Sequence, residues 1–240
     1  MSRCRRLLPL AVALVVILLR TAWPSGTEAQ GGPPALIVDR VLESMGGAAA
    51  SRVVDAAAEG KLTYFNNQGP QAAFDVTLLR KGTSHVQRIV KQHAGDLRQG
   101  TDGRTSWNVF KAFRASAEGG ASHFLESQTV RSVQRLIDSQ RERLNLRDAG
   151  QKDGARVIEA EDGAGRSTRY SIDETRNTVT AIEFVTGGQT GRYVLSDYRR
   201  VQGVLTPFRI ERYSGAGKIE DMQFTSVQFN TSLPETAFKP

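Results

Sequence analysis

The chain has 240 residues, 39% of them hydrophobic and 24% charged, with a net charge of +7. That is apolar material enough for a packed core, and the mixture excludes a disordered or collagen-like chain. The one cysteine, Cys4, sits near the start, so the rest of the chain has no disulfide partner, no thiolate nucleophile and no cysteine metal ligand.

Residues 1–29 differ from the rest. Arg3, Arg5 and Arg6 precede an apolar run at 7–19, and a polar stretch then ends in the small residues Thr27 and Ala29. This is the anatomy of a secretory signal peptide cut after Ala29. The run spans 13 residues and contains Pro9, shorter than the roughly 20 of a bilayer-crossing helix, which leaves an uncleaved inner-membrane anchor as the lesser alternative. Cleavage removes Arg3, Arg5, Arg6 and Arg20 together with Glu28, which leaves a mildly basic exported chain. So weak a charge does not point to nucleic acid. Cys4 precedes the apolar run instead of following it, which predicts a soluble periplasmic product and not a lipid-anchored one.

Residues 30–34 read as a flexible leader, and 35–240 as a single domain. Val38, Val41, Leu42 and Met45 recur at helical spacing, and Gly46-Gly47 supplies the stop. Up to about residue 114 the period becomes two: Leu62 and Tyr64, then Phe74, Val76 and Leu78, alternate with polar neighbours. Asp102-Gly103 fits a tight two-residue hairpin. Val130, Val133, Leu136 and Ile137 predict a second helix, with Arg131, Arg135, Arg141 and Arg143 on its solvated side. Strand signals at 157–160, 169–172, 179–185, 192–198, 205–213 and 219–229 follow, separated by glycine turns that imply antiparallel pairing. The sum is mainly β with some α: about ten strands, two helices, and a one-sided sheet too large to stay flat. It is expected to curl into an open, incomplete barrel with the helices as lid or plug, leaving room for a small apolar ligand.

Catalytic chemistry has little support. His85, His93 and His123 show no helical metal spacing, and Gly165-Arg166-Ser167 lacks the closing glycine of a nucleophile elbow. The acids Glu159, Glu161, Asp162, Asp173 and Glu174 read as solvated turn residues, and the glycine pairs follow strands without opening helices, unlike a phosphate loop. No catalytic, cofactor or metal site is assigned, and no cofactor is expected.

Four stretches carry a family resemblance: VDRVLESMGG at 38–47, GTDGRTSW at 100–107, SDYRRVQGVLTPFRI at 196–210, and the ending FN at 229–230 with LPETAFKP at 233–240. They resemble the outer-membrane lipoprotein-sorting proteins of the LolA/LolB-like fold, over most of residues 35–240. The resemblance implies an open barrel lidded by helices, whose cavity receives lipoprotein acyl chains in the periplasm without a cofactor. Related domains in envelope-stress regulators bind a partner protein, so the fold leaves the function open. The leading expectation is therefore a monomeric, non-catalytic periplasmic carrier or binder of a lipid or acylated lipoprotein. Leu62, Tyr64, Phe74, Val76, Leu78, Trp107 and Val109 are its candidate cavity residues. The alternative is an envelope sensor or interaction domain, in which the sheet edge or Arg131 and Arg135 dock on an acidic partner, an envelope membrane protein or a lipid surface.

Overall fold

A computed structural model of the chain describes residues 33–186 and 188–240; the expected signal peptide, most of the leader and Gly187 lie outside these residues. The first helix, α1 (Pro34–Met45), takes Pro33 as its N-cap, so the regular chain begins inside the expected leader. Proline suits that place because the first helical N–H groups lack partners in any case. Ile37, Val38, Val41 and Met45 are its buried face, one residue wider than the sequence stripe, with Leu42 at the margin. Gly46 ends it at φ 122°, and a Cβ there would lie 2.5 Å from the carbonyl oxygen of Gly203. A short second helix, α2 (Ala48–Ser51), leads into the sheet.

Two antiparallel meanders follow. The first comprises β1 (Asp55–Asn66), β2 (Gly69–Lys81), β3 (His85–Gln92), β4 (Gly95–Asp102), β5 (Ser106–Phe110) and β6 (Phe113–Ser116). A crossover holding α3 (Gly120–Gln128) and α4 (Val133–Ile137) leads to the second: β7 (Asn145–Lys152), β8 (Ala155–Glu161), β9 (Ser167–Asp173), β10 (Thr178–Thr186), β11 (Gln189–Val201), β12 (Val204–Ser214) and β13 (Gly217–Phe229). The described strands form one sheet of 13 in the order β6-β5-β4-β3-β2-β1-β13-β12-β11-β10-β9-β8-β7. The chain enters at the middle, walks out to β6, crosses to the far edge at β7, and walks back until β13 pairs with β1. Because β6 and β7 do not pair, the barrel stays open, and the crossover must span its inner face.

Strands β8 to β13 lie where the period-two pattern put them, each extended by a few residues. β6, β7 and α3 carry weak periodic signals and were not expected. The middle helix is shorter than its pattern, since α4 holds five residues and its flanks are turns. The Asp102-Gly103 hairpin is also corrected. Asp102 Oδ1 accepts the N–H groups of Arg104 and Thr105, each at 2.9 Å, and this side-chain turn lengthens the loop to three residues.

The sheet has two differently used faces. Ala58, Leu78, Arg88, Gln99 and Asn108 form one cross-strand row facing inward, and Ala57, Leu79, Gln87, Gly100 and Trp107 form the neighbouring row facing out. Inside, α1 packs on β7, β10, β12 and α4, while α3 lies over β4 and β5. Outside, a 3-10 helix (Glu235–Phe238) packs over β3 and β4, with Phe238 edge-on to His85 at 5.4 Å between ring centroids. Asp55 fastens that tail: its carboxylate accepts from the N–H groups of Thr231 at 2.6 Å and Leu233 at 3.1 Å.

The β1–β13 seam joining the two meanders shifts register between Glu59 and Gly60. There the strands approach so closely that a Cβ on Gly60 would sit 2.1 Å from the backbone oxygen of Gln223 and 2.6 Å from Phe224 Cα. Backbone cannot yield as a flexible side chain can, so Gly60→Ala is expected to lower stability by about 1–3 kcal/mol in urea unfolding, with the overpacking at the seam as the cause. An unchanged urea midpoint would show that the seam is looser than this.

A lidded cavity and two inward arginines

Between the inner face and the helices lies a cavity of about 90 Å³. Its apolar wall comes from both meanders: Ala58 and Leu78 from the first, Ile182, Leu195, Ile210 and Phe224 from the second. Met45 of α1 and Val133 of α4 close it from above, and Ser127, Gln128, Ser132 and Gln134 of the crossover add neutral polar groups. The space exists because β1 presents two alanines, Ala56 and Ala58, beside Phe229 and Val227 of β13 on one side and Arg80 and Leu78 of β2 on the other. Larger residues in that row would fill it.

Of the seven residues expected to line a ligand cavity, Leu78 is among those around this space. Leu62 and Val76 share its face and are buried in the continuous core on the inner side. Tyr64 and Phe74 stand further along the same two strands, half-buried and edge-to-face at 5.9 Å. Trp107 and Val109 require correction: counted through the ladders, they face outward with Leu79 and Gln87, and neither belongs to the main core. Their strand shows the right period, but strand-to-strand register decides which face a period-two stripe occupies, and one residue of offset inverts it.

Arg131 and Arg135 require a second correction, because both turn inward. Arg131, 3% exposed, pairs with Glu126 at 2.8 Å, donates to Ser167 O at 2.7 Å and Thr168 Oγ1 at 2.8 Å, and lies 4.6 Å over the Phe184 ring. Arg135 donates to Val130 O at 2.8 Å and pairs with Glu142 at 3.3 Å and Asp162 at 3.4 Å. A crossover laid on a sheet leaves carbonyls and acids without water, and these guanidinium groups satisfy them. Asp162, expected in solvent, is buried for the same reason and also binds Arg166. His123 is buried too, with Nε2 3.1 Å from Thr186 O. Among the described residues, no His, Cys, Asp and Glu side chains gather as a metal site.

The inner face carries three further arginines that sequence reasoning missed. Arg88, 2% exposed, donates to Glu220 Oε2 at 2.9 Å and to Gln99 Oε1, under the Phe124 ring of α3 at 4.0 Å. Arg212 donates to the other oxygen of Glu220 at 2.7 Å, so one buried carboxylate holds two guanidinium groups. Burial pushes the Glu220 carboxyl up, but the charges and hydrogen bonds of Arg88 and Arg212 outweigh it and hold the group below its ordinary range. Arg80 lines the cavity two residues beyond Leu78 on β2. The signal was present: Phe74, Val76, Leu78 and Arg80 continue one alternating stripe, which places its last member inside with the others.

Three solved structures resemble this arrangement over most of their length. A DUF1329 family protein from Desulfovibrio piger superposes with a TM-score of 0.59 at 7% identity, covering 87% of this chain and 98% of its own. A LolA superfamily protein from Nitrosomonas europaea gives 0.59 at 12%, covering 85% and 97%. An outer membrane lipoprotein-sorting protein domain from Vibrio parahaemolyticus gives 0.58 at 13%, covering 86% and 97%. The chain has the LolA-like fold. At these identities the likeness is one of fold alone, and no protein-family model or curated protein matches the sequence. Within this LolA-like sheet the helices lie against the inner face, so the cavity is roofed by segments that are held by side-chain packing and not by strand ladders. Among the described residues no helix is long and apolar enough to cross a membrane.

Proposed function

We propose that this chain is an exported, non-catalytic carrier or binder of a lipid or of a lipoprotein's acyl chains, held between the inner face of the sheet and the crossover helices. In this reading residues 1–29 direct export, and 35–240 act as one periplasmic domain. The observation that carries it is the apolar cavity roofed by α1, α4 and their flanks. Apolar surface left between a sheet and a movable lid favours an acyl chain by roughly 25 cal/mol for each Å² it removes from water. The fold shared with a lipoprotein-sorting domain supports the same reading. At about 90 Å³ the cavity has room for only a handful of water-sized groups, so it accepts the end of a chain and not its length. Loading therefore requires the helices to move away from the sheet, while the ladder beneath stays intact.

Native mass spectrometry of residues 30–240 purified from a bacterial periplasm, followed by solvent extraction, tests this directly. A discrete bound lipid or acylated peptide is the expected result. A folded protein that is clean on isolation and takes up no chain from added acyl lipids would sink the proposal. The same fold could instead dock a protein at its edge. That reading is favoured by β6, whose four residues are all exposed, Phe113 at 70%, and whose outer edge pairs with no described strand. A partner captured by lipid-free protein and lost when β6 is replaced would support it.

A further inference from the structure

The two arginines on the inner face of the first meander are treated in opposite ways. Arg88, opposite Leu78 on β3, has Glu220, Gln99 and the Phe124 ring about it. Arg80, on the same face, has Ala56 and Val86 as its cross-strand neighbours, and neither offers a polar side chain. Among the described residues Arg80 has no hydrogen-bond or ion-pair partner, and the cavity it lines contains no Asp or Glu. The side chain is half-buried, with its open surface toward the cavity it lines, and desolvation is the one influence on its guanidinium, pushing the pKa down from the ordinary arginine value. The group remains charged at neutral pH all the same, because arginine does not surrender its proton in this range.

An uncompensated cation against an apolar wall is costly, and proteins ordinarily place an acid beside it, as this one does for Arg88. We propose that the missing partner of Arg80 arrives with the ligand: the cavity selects a single-chain amphiphile that ends in an anionic group, a carboxylate or a phosphate monoester, over a neutral acyl ester. This deepens the lipid-binding reading above and rests on it. A guanidinium presents two parallel N–H groups to two oxygens of a carboxylate or phosphate, whereas a neutral ester offers a carbonyl oxygen alone. The surrounding wall suits the rest of such a molecule, since Leu78, Ile210 and Phe224 line the same space and give an acyl chain apolar contact while its head meets Arg80. Ser127, Gln128, Ser132 and Gln134 on the crossover place further neutral polar groups along that wall. The contacts that seat the head would thus also join lid to sheet, so an anionic ligand closes the cavity over itself.

The test compares palmitate, 1-palmitoyl lysophosphatidate and methyl palmitate, each displacing a fluorescent acyl probe from the mature protein at pH 7. A charged hydrogen bond formed out of water predicts that the anionic chains bind roughly ten- to a hundredfold more tightly than the methyl ester. Whichever anion leads identifies the source, a free fatty acid or a lysophospholipid. Arg80→Met is expected to bring the anion-to-ester ratio to about 1, and Arg80→Lys to restore a preference, since a lysine supplies the charge without the fork. Equal binding of anion and ester by the wild-type protein overturns the inference, as does a preference that survives in Arg80→Met. If the folded wild-type protein binds none of the three, the lipid-carrier reading itself fails; binding without preference removes the inference about Arg80 alone.

Discussion

Glu220→Gln is expected to destabilise the protein by about 3–5 kcal/mol at pH 7, the largest loss from any single conservative change considered. The substitution keeps the shape of the side chain and removes the one buried carboxylate that faces both Arg88 and Arg212. Both guanidinium groups then stay in the interior, Arg88 beneath α3 at 2% exposure, without a counter-charge. Urea unfolding measures the change, and a loss below about 1 kcal/mol would show that water or side-chain movement relieves the two cations. The pH dependence has a definite sign. Because the folded protein holds the Glu220 carboxyl below its ordinary value of 4.5, its contribution is complete above that value and is lost as the pH falls through the lower folded-state value. The gap between wild type and variant should therefore be constant near neutrality and shrink in acid below about pH 4.5. A gap that widens in acid contradicts the assignment.

Ala58→Phe is expected to abolish acyl-chain uptake while the sheet stays folded. Ala58 faces the cavity between Leu78 on one neighbouring strand and Val227 on the other, and its methyl group is one reason that space exists. A phenyl ring added there enters a void of about 90 Å³ and occupies the room into which a chain end would pass. Affinity for a fluorescent fatty acid should fall at least tenfold, about 1.4 kcal/mol. Overpacking costs about 1–3 kcal/mol where a site is already full, but here the ring meets empty space, so the thermal midpoint should shift little. Uptake at wild-type affinity by the folded variant would place the ligand elsewhere on the protein. Ala57→Phe, one residue along and on the outer face, is the matched control, since the same ring there leaves the cavity open.

The two tests probe different halves of one arrangement. Glu220 neutralises charge where α3 meets the sheet, and Arg80 keeps an uncompensated charge where the cavity lies. Arg88 is buried with full compensation at one place on the inner face and Arg80 lines the cavity without a partner a strand's breadth away, so the proposed reading puts fastening and ligand binding at separate places. The fastening lies under α3, whose Phe124 and Leu125 are buried. The cavity lies under the C-terminal end of α1, the last residues of α3 and the start of α4, where Val53 and Met45 border it and Val54 next to Val53 stays exposed. In the proposed reading, movement that admits a ligand is expected at the α1 and α4 side of the lid, with the body of α3 held in place by Phe124 over Arg88.

The amino-acid sequence by itself determined the element types over most of the chain. Alternation at 205–213 and 219–229 and the 38–45 stripe closed by Gly46 are local patterns, set by which neighbours along the chain share a face, and the structure follows them to within a few residues. That many one-sided strands joined by short turns must form a large antiparallel sheet, curled and covered by few helices, also follows from the pattern. Tertiary structure alone decided which face each stripe occupies and where each charge goes. Trp107 has the same period-two signal as Leu78 and lies on the other side of the sheet, because inside and outside are assigned by pairing across four strands that a linear pattern does not connect. Arg131 looks like a solvated helix residue until β9 and β10 bring Thr168 and Phe184 against it. Glu220, 132 residues from Arg88, becomes its partner only once β13 closes on β1 and joins the two meanders. Propensity and periodicity act over a few residues, whereas burial and ion pairing depend on register between strands distant in sequence; so the fold was legible before folding, and the charged interior of its site was not.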